Sequence, residues 1–372
     1  MDVTEQLSNS AIKKSDFPNY APWGGVFAEK LYEIVKQENV LPVLDVQVGD
    51  SCSFNCVYCD TPHTGRKTNP DLPATVERFI DESGNNIRLI KVCGLGDPLH
   101  KPKLTEENEL SNFNATLEIL EIAQRHDIMV SAFVNYIDPD DDEIFSYIKD
   151  GTFNLLYKCD TLDSNKAQQI YEISEEQAER QIQTLYKLTE IVKQSGKNNV
   201  ALSVVPTKIN QDEYFKVIDF AIENGLYPDI ADLEEAGKSV GANYQRLAVD
   251  EEFMRSIKNY TKDKYNFQYN KPVCAAIVAG LHLDNDLMVS VDSTYGLSCP
   301  WFSLQDPEMK PIGSATELNY RDICGRLIED RKKRAATIQM TLGKLSCAAA
   351  VFGGCGGNIP GVLDAYRQVY GD

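Results

Sequence analysis

Short β-rich runs recur along residues 41–233, separated by stretches whose apolar residues follow helical spacing. The runs are Leu41–Val48, ending at Gly49-Asp50; Asn86–Val92, closed by Cys93-Gly94; Ile128–Val134; Phe153–Lys158; Val200–Val205; and Ile230–Leu233. Between them lie the helical patterns Phe113–Ala123, Asp142–Lys149, Ser174–Lys193 and Asp212–Glu223. Neighbouring parallel strands need a crossover of a dozen or so residues, and these stretches supply it. The pattern predicts an α/β fold with a parallel sheet, either a partial barrel or an open doubly wound sheet.

The alternation changes near residues 240–270 and stops at Cys274. Asp250–Asn259 reads as a helix and Asp263–Lys271 as a connecting loop. Leu281-His282-Leu283, Asp284-Asn285-Asp286 and Leu287–Val291 read as a β-hairpin. Glu317–Arg334 and Pro360–Tyr370 read as helices. This region holds five of the ten cysteines, which sets it apart as a small cysteine-rich α+β domain. The expected organisation is an N-terminal extension over residues 1–40, a barrel domain over 41–245 and the cysteine-rich domain over 246–372.

Composition narrows the function. No apolar run approaches the roughly 20 residues that span a bilayer, and the N-terminus lacks the apolar core of a secretory signal. A soluble, cytoplasmic protein with no membrane partner is expected. The net charge of −19 repels phosphate backbones, so no nucleic acid is expected as partner. Solubility alone also explains such a charge. Ten cysteines in a chain with no secretory signal point to metal ligation or catalysis rather than disulfides.

The sharpest motif is Cys52-Ser-Phe-Asn-Cys56-Val-Tyr-Cys59, directly after the first strand. The carboxyl ends of the strands are where α/β folds place their sites. Three thiolates on a tight loop can hold three irons of a 4Fe–4S cluster and leave the fourth open for chemistry. Structural zinc, with His63 or Asp60 as fourth ligand, and three uncoordinated buried thiols are the other readings.

The spacing C-x3-C-x-aromatic-C after a first strand resembles the signature of radical S-adenosylmethionine (radical SAM) enzymes. The resemblance implies a partial (β/α)6 barrel and a 4Fe–4S cluster on Cys52, Cys56 and Cys59, with SAM on the open iron. It implies reductive cleavage of SAM to a 5′-deoxyadenosyl radical, fed by a flavodoxin- or ferredoxin-type reductant. Tyr58 takes the place of the aromatic residue that packs on adenine. Cys93-Gly94-Leu-Gly96-Asp97-Pro98 resembles the Gly-Gly-Glu-Pro segment that binds the methionine ammonium, with Asp97 one methylene shorter than the usual Glu. The glycines there would permit close backbone approach. Lys158-Cys159-Asp160 and Val205–Asn210 resemble two further cofactor-side segments, with Ser203 on the strand before the second; both also read as plain strand-to-helix caps.

The C-terminal cysteines resemble the SPASM/twitch extension of this superfamily, which carries auxiliary 4Fe–4S clusters. The chain lacks the tight C-x2-C-x5-C-x3-C run, so the resemblance implies one auxiliary cluster, on Cys274, Cys299, Cys347 and Cys355. Cys324, inside a helical pattern, is a candidate hydrogen-atom donor or a packing residue; Cys93 and Cys159, at strand ends, are rival donors. Asp232, Glu234 and Glu235 crowd the end of the sixth strand, where they would grip ammonium or hydroxyl groups of a substrate or form a solvated strand end.

Some 40 residues precede the first strand, too few for the winged-helix module of many peptide-modifying relatives. The expectation is therefore an enzyme acting on a small polar natural-product precursor of the amino sugar or aminocyclitol type, by oxidation or epimerisation. Modification of a ribosomal peptide and non-catalytic iron–sulfur electron transfer are the alternatives.

Overall fold

The computed structural model describes residues 26–59, 65–93, 96–101, 110–197, 199–231, 233, 237–265, 280–290, 312–341 and 368–370. Helix α1 (Val26–Glu38) leads into β1 (Val43–Gln47). Then come α2 (Leu72–Glu82), β2 (Leu89–Cys93), α3 (Asn112–Arg125), β3 (Met129–Val134), α4 (Asp142–Asp150) and β4 (Phe153–Lys158). Helices α5 (Ser164–Tyr171) and α6 (Glu175–Ser195) precede β5 (Val200–Val204), α7 (Tyr214–Glu223) and β6 (Tyr227–Ile230). The remaining described elements are α8 (Ala242–Leu247), α9 (Glu251–Tyr265), β7 (Gly280–Leu283), β8 (Met288–Ser290), β9 (Gly313–Ser314) and α10 (Tyr320–Thr341).

Among the described residues the strands form one sheet in the order β6-β5-β4-β3-β2-β1-β7-β8-β9. Every pairing from β6 to β7 is parallel. The last two are antiparallel. The expected α/β class and parallel partial barrel are therefore present, and the sheet is not closed. The hairpin forms as expected, but β7 pairs in parallel with β1. The sheet thus runs across the boundary expected at residues 245/246.

The strands are buried on both faces, which is why their apolar residues run almost continuously instead of alternating. All five residues of β1 and all five of β5 are buried. The crossover helices start and stop where their caps dictate. The Ser174 hydroxyl accepts from the Gln177 backbone N–H, while Gln177 reaches back to Ser174, and Gly196 ends α6 in a left-handed turn at φ 67°. Asp141 caps α4 and Gly151 ends it.

Three findings depart from the sequence reading. β6 lies three residues earlier than expected, at Tyr227–Ile230, because register with β5 sets its position and propensity does not. Helix α9 continues to Tyr265, through the start of the expected loop. Helices α1, α2, α5 and α8 were not anticipated. In α2 a proline in the first turn hides a start that the structure shows clearly, with Leu72, Val76, Phe79 and Ile80 buried. The expected helix Pro360–Tyr370 lies almost wholly outside the described residues. Among the described residues no helix is long and apolar enough to cross a membrane.

Helix α10 packs on the amino-terminal end of the sheet. Tyr320 lies over Phe79 of α2, with ring centroids 5.6 Å apart, and its hydroxyl donates to the Leu41 carbonyl. Phe79 is fully buried. Phe79→Ala should cost about 3–5 kcal/mol of unfolding free energy in chemical denaturation, with α10 loosened first.

Candidate active site: the three-cysteine loop

The loop that follows β1 carries Cys52, Cys56 and Cys59. It is fixed from four directions. Helix α5 lies under it: the Asn55 and Val57 N–H groups donate to the Tyr171 and Ile170 carbonyls at 2.9 Å each. Phe54 stacks on Tyr171, with centroids 5.1 Å apart. Phe54, Cys56, Ala167, Ile170, Tyr171, Ile173 and Ala178 form their own apolar cluster, apart from the main core. On the other side, the turn before α8 closes on the loop. Lys238 N–H donates to the Cys59 carbonyl at 2.8 Å, and Asn243 Nδ2 donates to the Val57 carbonyl at 3.2 Å.

The third support is the segment after β2. Asp97 N–H donates to the Ser51 carbonyl at 2.9 Å. A Cβ on Gly96 would lie 2.2 Å from that same oxygen and 2.5 Å from the Asp50 carbonyl carbon. The expected need for glycine at Gly96 is therefore real, and it is the cysteine loop that approaches. The fourth support is Asn112, at the start of α3 and buried. Its Nδ2 donates to the carbonyls of Gly49 at 3.0 Å, Ser51 at 3.2 Å and Asp97 at 3.0 Å, while Oδ1 accepts from the Thr68 hydroxyl at 3.0 Å. One side chain thus ties both loops together.

The three thiols stand close enough to feel one another's charge. Burial pushes the Cys52 thiol up to about 12, with the Asp97 and Cys59 charges adding to it. Burial also raises Cys56, against the pull of the Lys158 ammonium. Thiols so reluctant to ionise release their protons when a metal takes the proton's place. Among the described residues no three such side chains converge on a single metal ion, whose tetrahedral thiolates would stand about 3.8 Å apart. Three cysteines on one loop are the donor set that a 4Fe–4S cluster takes. His63 and Asp60, the alternative zinc ligands, lie outside the described residues.

Several candidate cofactor residues gather beside the loop. Lys158 and Asp160 are buried and 3.2 Å apart. The Tyr58 hydroxyl donates to Asp160, and the Lys158 ammonium lies 4.8 Å from the Tyr58 ring centre. Ser203 pairs in register with Lys158, so both face the barrel interior, and its buried hydroxyl has no hydrogen-bond partner among the described residues. Pro98 is buried, its carbonyl accepting from Thr116 at 2.8 Å.

Other candidates take different roles from those expected. Asp97, expected to meet an ammonium, accepts instead from three backbone N–H groups: Leu99 at 2.9 Å, Asn135 at 3.2 Å and Tyr136 at 3.1 Å. It is only 1% exposed, and burial raises its carboxyl to about 7 despite these donors. The shorter side chain makes it a brace between the loops after β2 and β3. Asn210, expected beside the cofactor, uses its amide on the protein. Nδ2 donates to the Asp160 and Val205 carbonyls at 2.8 and 3.0 Å, and Oδ1 accepts from the N–H and hydroxyl of Thr207 at 2.7 and 3.0 Å. An amide has four such capacities, and all four are in use.

Cys159 faces away from the interior. Strand alternation puts Tyr157 and Cys159 on the helix side, where the Tyr157 hydroxyl donates to the Gln181 carbonyl and the Cys159 thiol to the Thr161 carbonyl at 3.1 Å. Cys324 lies at the other end of the sheet, its Sγ accepting from Leu41 N–H at 3.4 Å. The seven residue steps of extended chain from Leu41 to Val48 put it roughly 20 Å from the cysteine loop. Both thiols are fully buried, as packing residues are. Gly94, Asp232, Glu234, Glu235, Cys274, Cys299, Cys347 and Cys355 lie outside the described residues, as does the Cys93 side chain.

The interior face of the sheet is polar. Asp45 lies 3.6 Å from Lys91 Nζ and 3.5 Å from His282 Nδ1, its register neighbours on β2 and β7. Ser131 and Asn154 continue the row on β3 and β4. Among the described residues, the Ser131 hydroxyl, Asn154 Nδ2 and both His282 nitrogens are buried without a hydrogen-bond partner. Nothing in the local sequence marked Asn112, Asn135 or α5, because their partners lie far away along the chain.

An open parallel barrel with three cysteines on the loop after its first strand defines the radical SAM fold, and this chain has that fold. Its structure is similar to that of Streptococcus suis SuiB, with a TM-score of 0.53 at 14% identity over 80% of this chain and 69% of that one. SuiB bound to S-adenosylmethionine gives 0.52 at 14% identity, covering 78% and 67% of the two chains. SuiB bound to precursor peptide SuiA gives 0.51 at 13%, covering 80% and 68%. No family model and no curated protein matches the sequence.

Two outcomes test the site. Gly96→Ala should leave the main core folded but displace the cysteine loop, lowering iron retained after anaerobic reconstitution to a small fraction of wild type. Because burial raises the Cys52 and Cys56 thiols, cluster assembly should speed up as pH rises from 7 to 9, by up to about tenfold per unit for each thiol that must ionise. Absorbance at the iron–sulfur charge-transfer band follows both.

Proposed function

We propose that this protein is a radical SAM enzyme that attacks a C–H bond of a small polar precursor of the amino sugar or aminocyclitol type, giving oxidation or epimerisation. The observation that carries the enzyme class is the three-thiol loop at the carboxyl end of β1, braced by Gly96 and Asn112. When bound, a 4Fe–4S cluster would supply the one-electron reduction of SAM. Cys52, Cys56 and Cys59 would hold that cluster. Tyr58, held by Asp160, would face the adenine, and Gly96 lets the loop after β2 lie against the cysteine loop. Ser203 and Lys158 line the interior beside it.

The polar interior row from His282 to Asn154 supports a substrate rich in hydrogen-bonding groups. Walls that keep out water protect a carbon radical. Asp232, Glu234 and Glu235 at the end of β6 would meet substrate ammonium or hydroxyl groups. One auxiliary 4Fe–4S cluster on Cys274, Cys299, Cys347 and Cys355 would accept an electron or order the substrate. A flavodoxin- or ferredoxin-type protein would serve as reductant in the cytoplasm. A second reading, modification of a ribosomal peptide, is favoured by the likeness to SuiB bound to its precursor peptide SuiA.

Anaerobic reconstitution should give about eight irons per chain with matching sulfide, and about four would remove the auxiliary cluster. Reduced enzyme should form 5′-deoxyadenosine from SAM, and Cys52→Ala should abolish it. Formation by the Cys52 variant would refute the cluster assignment, and none by wild type would favour an electron carrier. Cys355→Ala should keep some uncoupled SAM cleavage while losing substrate turnover. Transfer of deuterium into 5′-deoxyadenosine from a labelled aminocyclitol, and not from a labelled peptide, would decide the substrate class.

A further inference from the structure

Asn135 follows the last residue of β3, and its main chain is held on both sides. Its N–H donates to Asp97 Oδ2 at 3.2 Å, and its carbonyl accepts from Gln181 Nε2 at 3.3 Å. The next residue is held too: Tyr136 N–H donates to the same Asp97 oxygen at 3.1 Å, and its hydroxyl accepts from Arg180 Nε at 3.1 Å. The side chain therefore starts from a fixed point. It reaches the cysteine loop, where Nδ2 lies 3.4 Å from Cys52 Sγ. The orientation follows from chemistry, since a flipped amide would set its carbonyl oxygen against the sulfur once that sulfur is a ligating thiolate. The same sulfur also accepts from Phe54 N–H at 3.4 Å.

A hydrogen bond to a ligating sulfur stabilises negative charge on it. Reducing an iron–sulfur cluster adds negative charge, so donors to its sulfurs make reduction easier. We propose that Asn135 is a positioning residue that raises the reduction potential of the cluster held by Cys52, through its Nδ2–H···Sγ bond. The step it controls is the transfer of one electron from a flavodoxin- or ferredoxin-type reductant to the cluster. The reductant is oxidised by one electron and the cluster reduced by one, with no bond made or broken. The Asp97 brace acts through Asn135, fixing the amide at its distance from the sulfur. This role rests on the radical SAM reading above.

The test uses the full-length reconstituted protein with SAM bound. Asn135→Leu keeps the shape of the side chain and removes the donor. Its cluster should titrate at a more negative midpoint potential than wild type, with unchanged iron and sulfide. Asn135→Gln, which keeps an amide, should recover part of the difference. With flavodoxin as reductant, 5′-deoxyadenosine formation by Asn135→Leu should slow several-fold, and a stronger chemical reductant should restore it. An unchanged potential in Asn135→Leu would overturn the proposal. A second measurement does not depend on any variant. Pulsed electron paramagnetic resonance on reduced wild type, with asparagine side chains labelled by nitrogen-15, should show a coupling from the amide nitrogen. A wild-type cluster that cleaves SAM but shows no such coupling would refute the role of Asn135 alone. A wild-type chain that holds no 4Fe–4S cluster would instead refute the reading on which it rests.

Discussion

The site depends on how closely the backbone after β2 approaches the loop after β1. At Gly96 a single added carbon would stand 2.2 Å from the Ser51 carbonyl oxygen, well inside van der Waals contact. That approach lets Asp97 N–H donate to Ser51, and lets the Asn112 amide reach the carbonyls of Gly49, Ser51 and Asp97 together. Each such bond contributes about 1 kcal/mol net, and losing Asn112 would remove the donor that the Gly49, Ser51 and Asp97 carbonyls share. The cysteines are held in place by these neutral contacts, before any metal is present.

The braces form a chain of contacts. Asp97 links the loop after β2 to the one after β3 through the N–H groups of Asn135 and Tyr136, and Asn135 returns to Cys52. Asn210 links the loops after β4 and β5. Helix α5 supports the cysteine loop with an apolar cluster of its own. The carboxyl ends of the strands are thus joined by buried amides and one buried carboxyl. A fully hydrogen-bonded polar network is rigid, and it holds reactive loops in one geometry. The interior below differs, because several of its polar atoms have no hydrogen-bond partner among the described residues.

The two ends of the sheet do different work. At the amino-terminal end Tyr320 and Cys324 of α10 meet the chain around Leu41, and Phe79 packs against Tyr320. That end is close-packed. A thiol there has the environment of a small apolar side chain. Cys52, Cys56 and Cys59 sit at the carboxyl end, on the loop that follows β1.

The sequence by itself determined the fold class, the parallel order implied by its crossovers, and the cysteine triplet on the loop after the first strand. These are local signals: hydrophobic period, cap residues and the spacing of three thiols within eight residues. It also identified Gly96 as a place where backbones meet, without saying what would be met. The tertiary structure decided what local patterns cannot carry. It joined β7 to β1 in one sheet, moved β6 three residues into register with β5, turned Cys159 toward the helices, and made braces of Asp97 and Asn210. It also brought forward Asn112, Asn135 and Tyr171, ordinary residues in sequence. Their partners include residues from 11 to 116 positions away, and hydrogen bonds over such separations exist only once the strands have been assembled side by side.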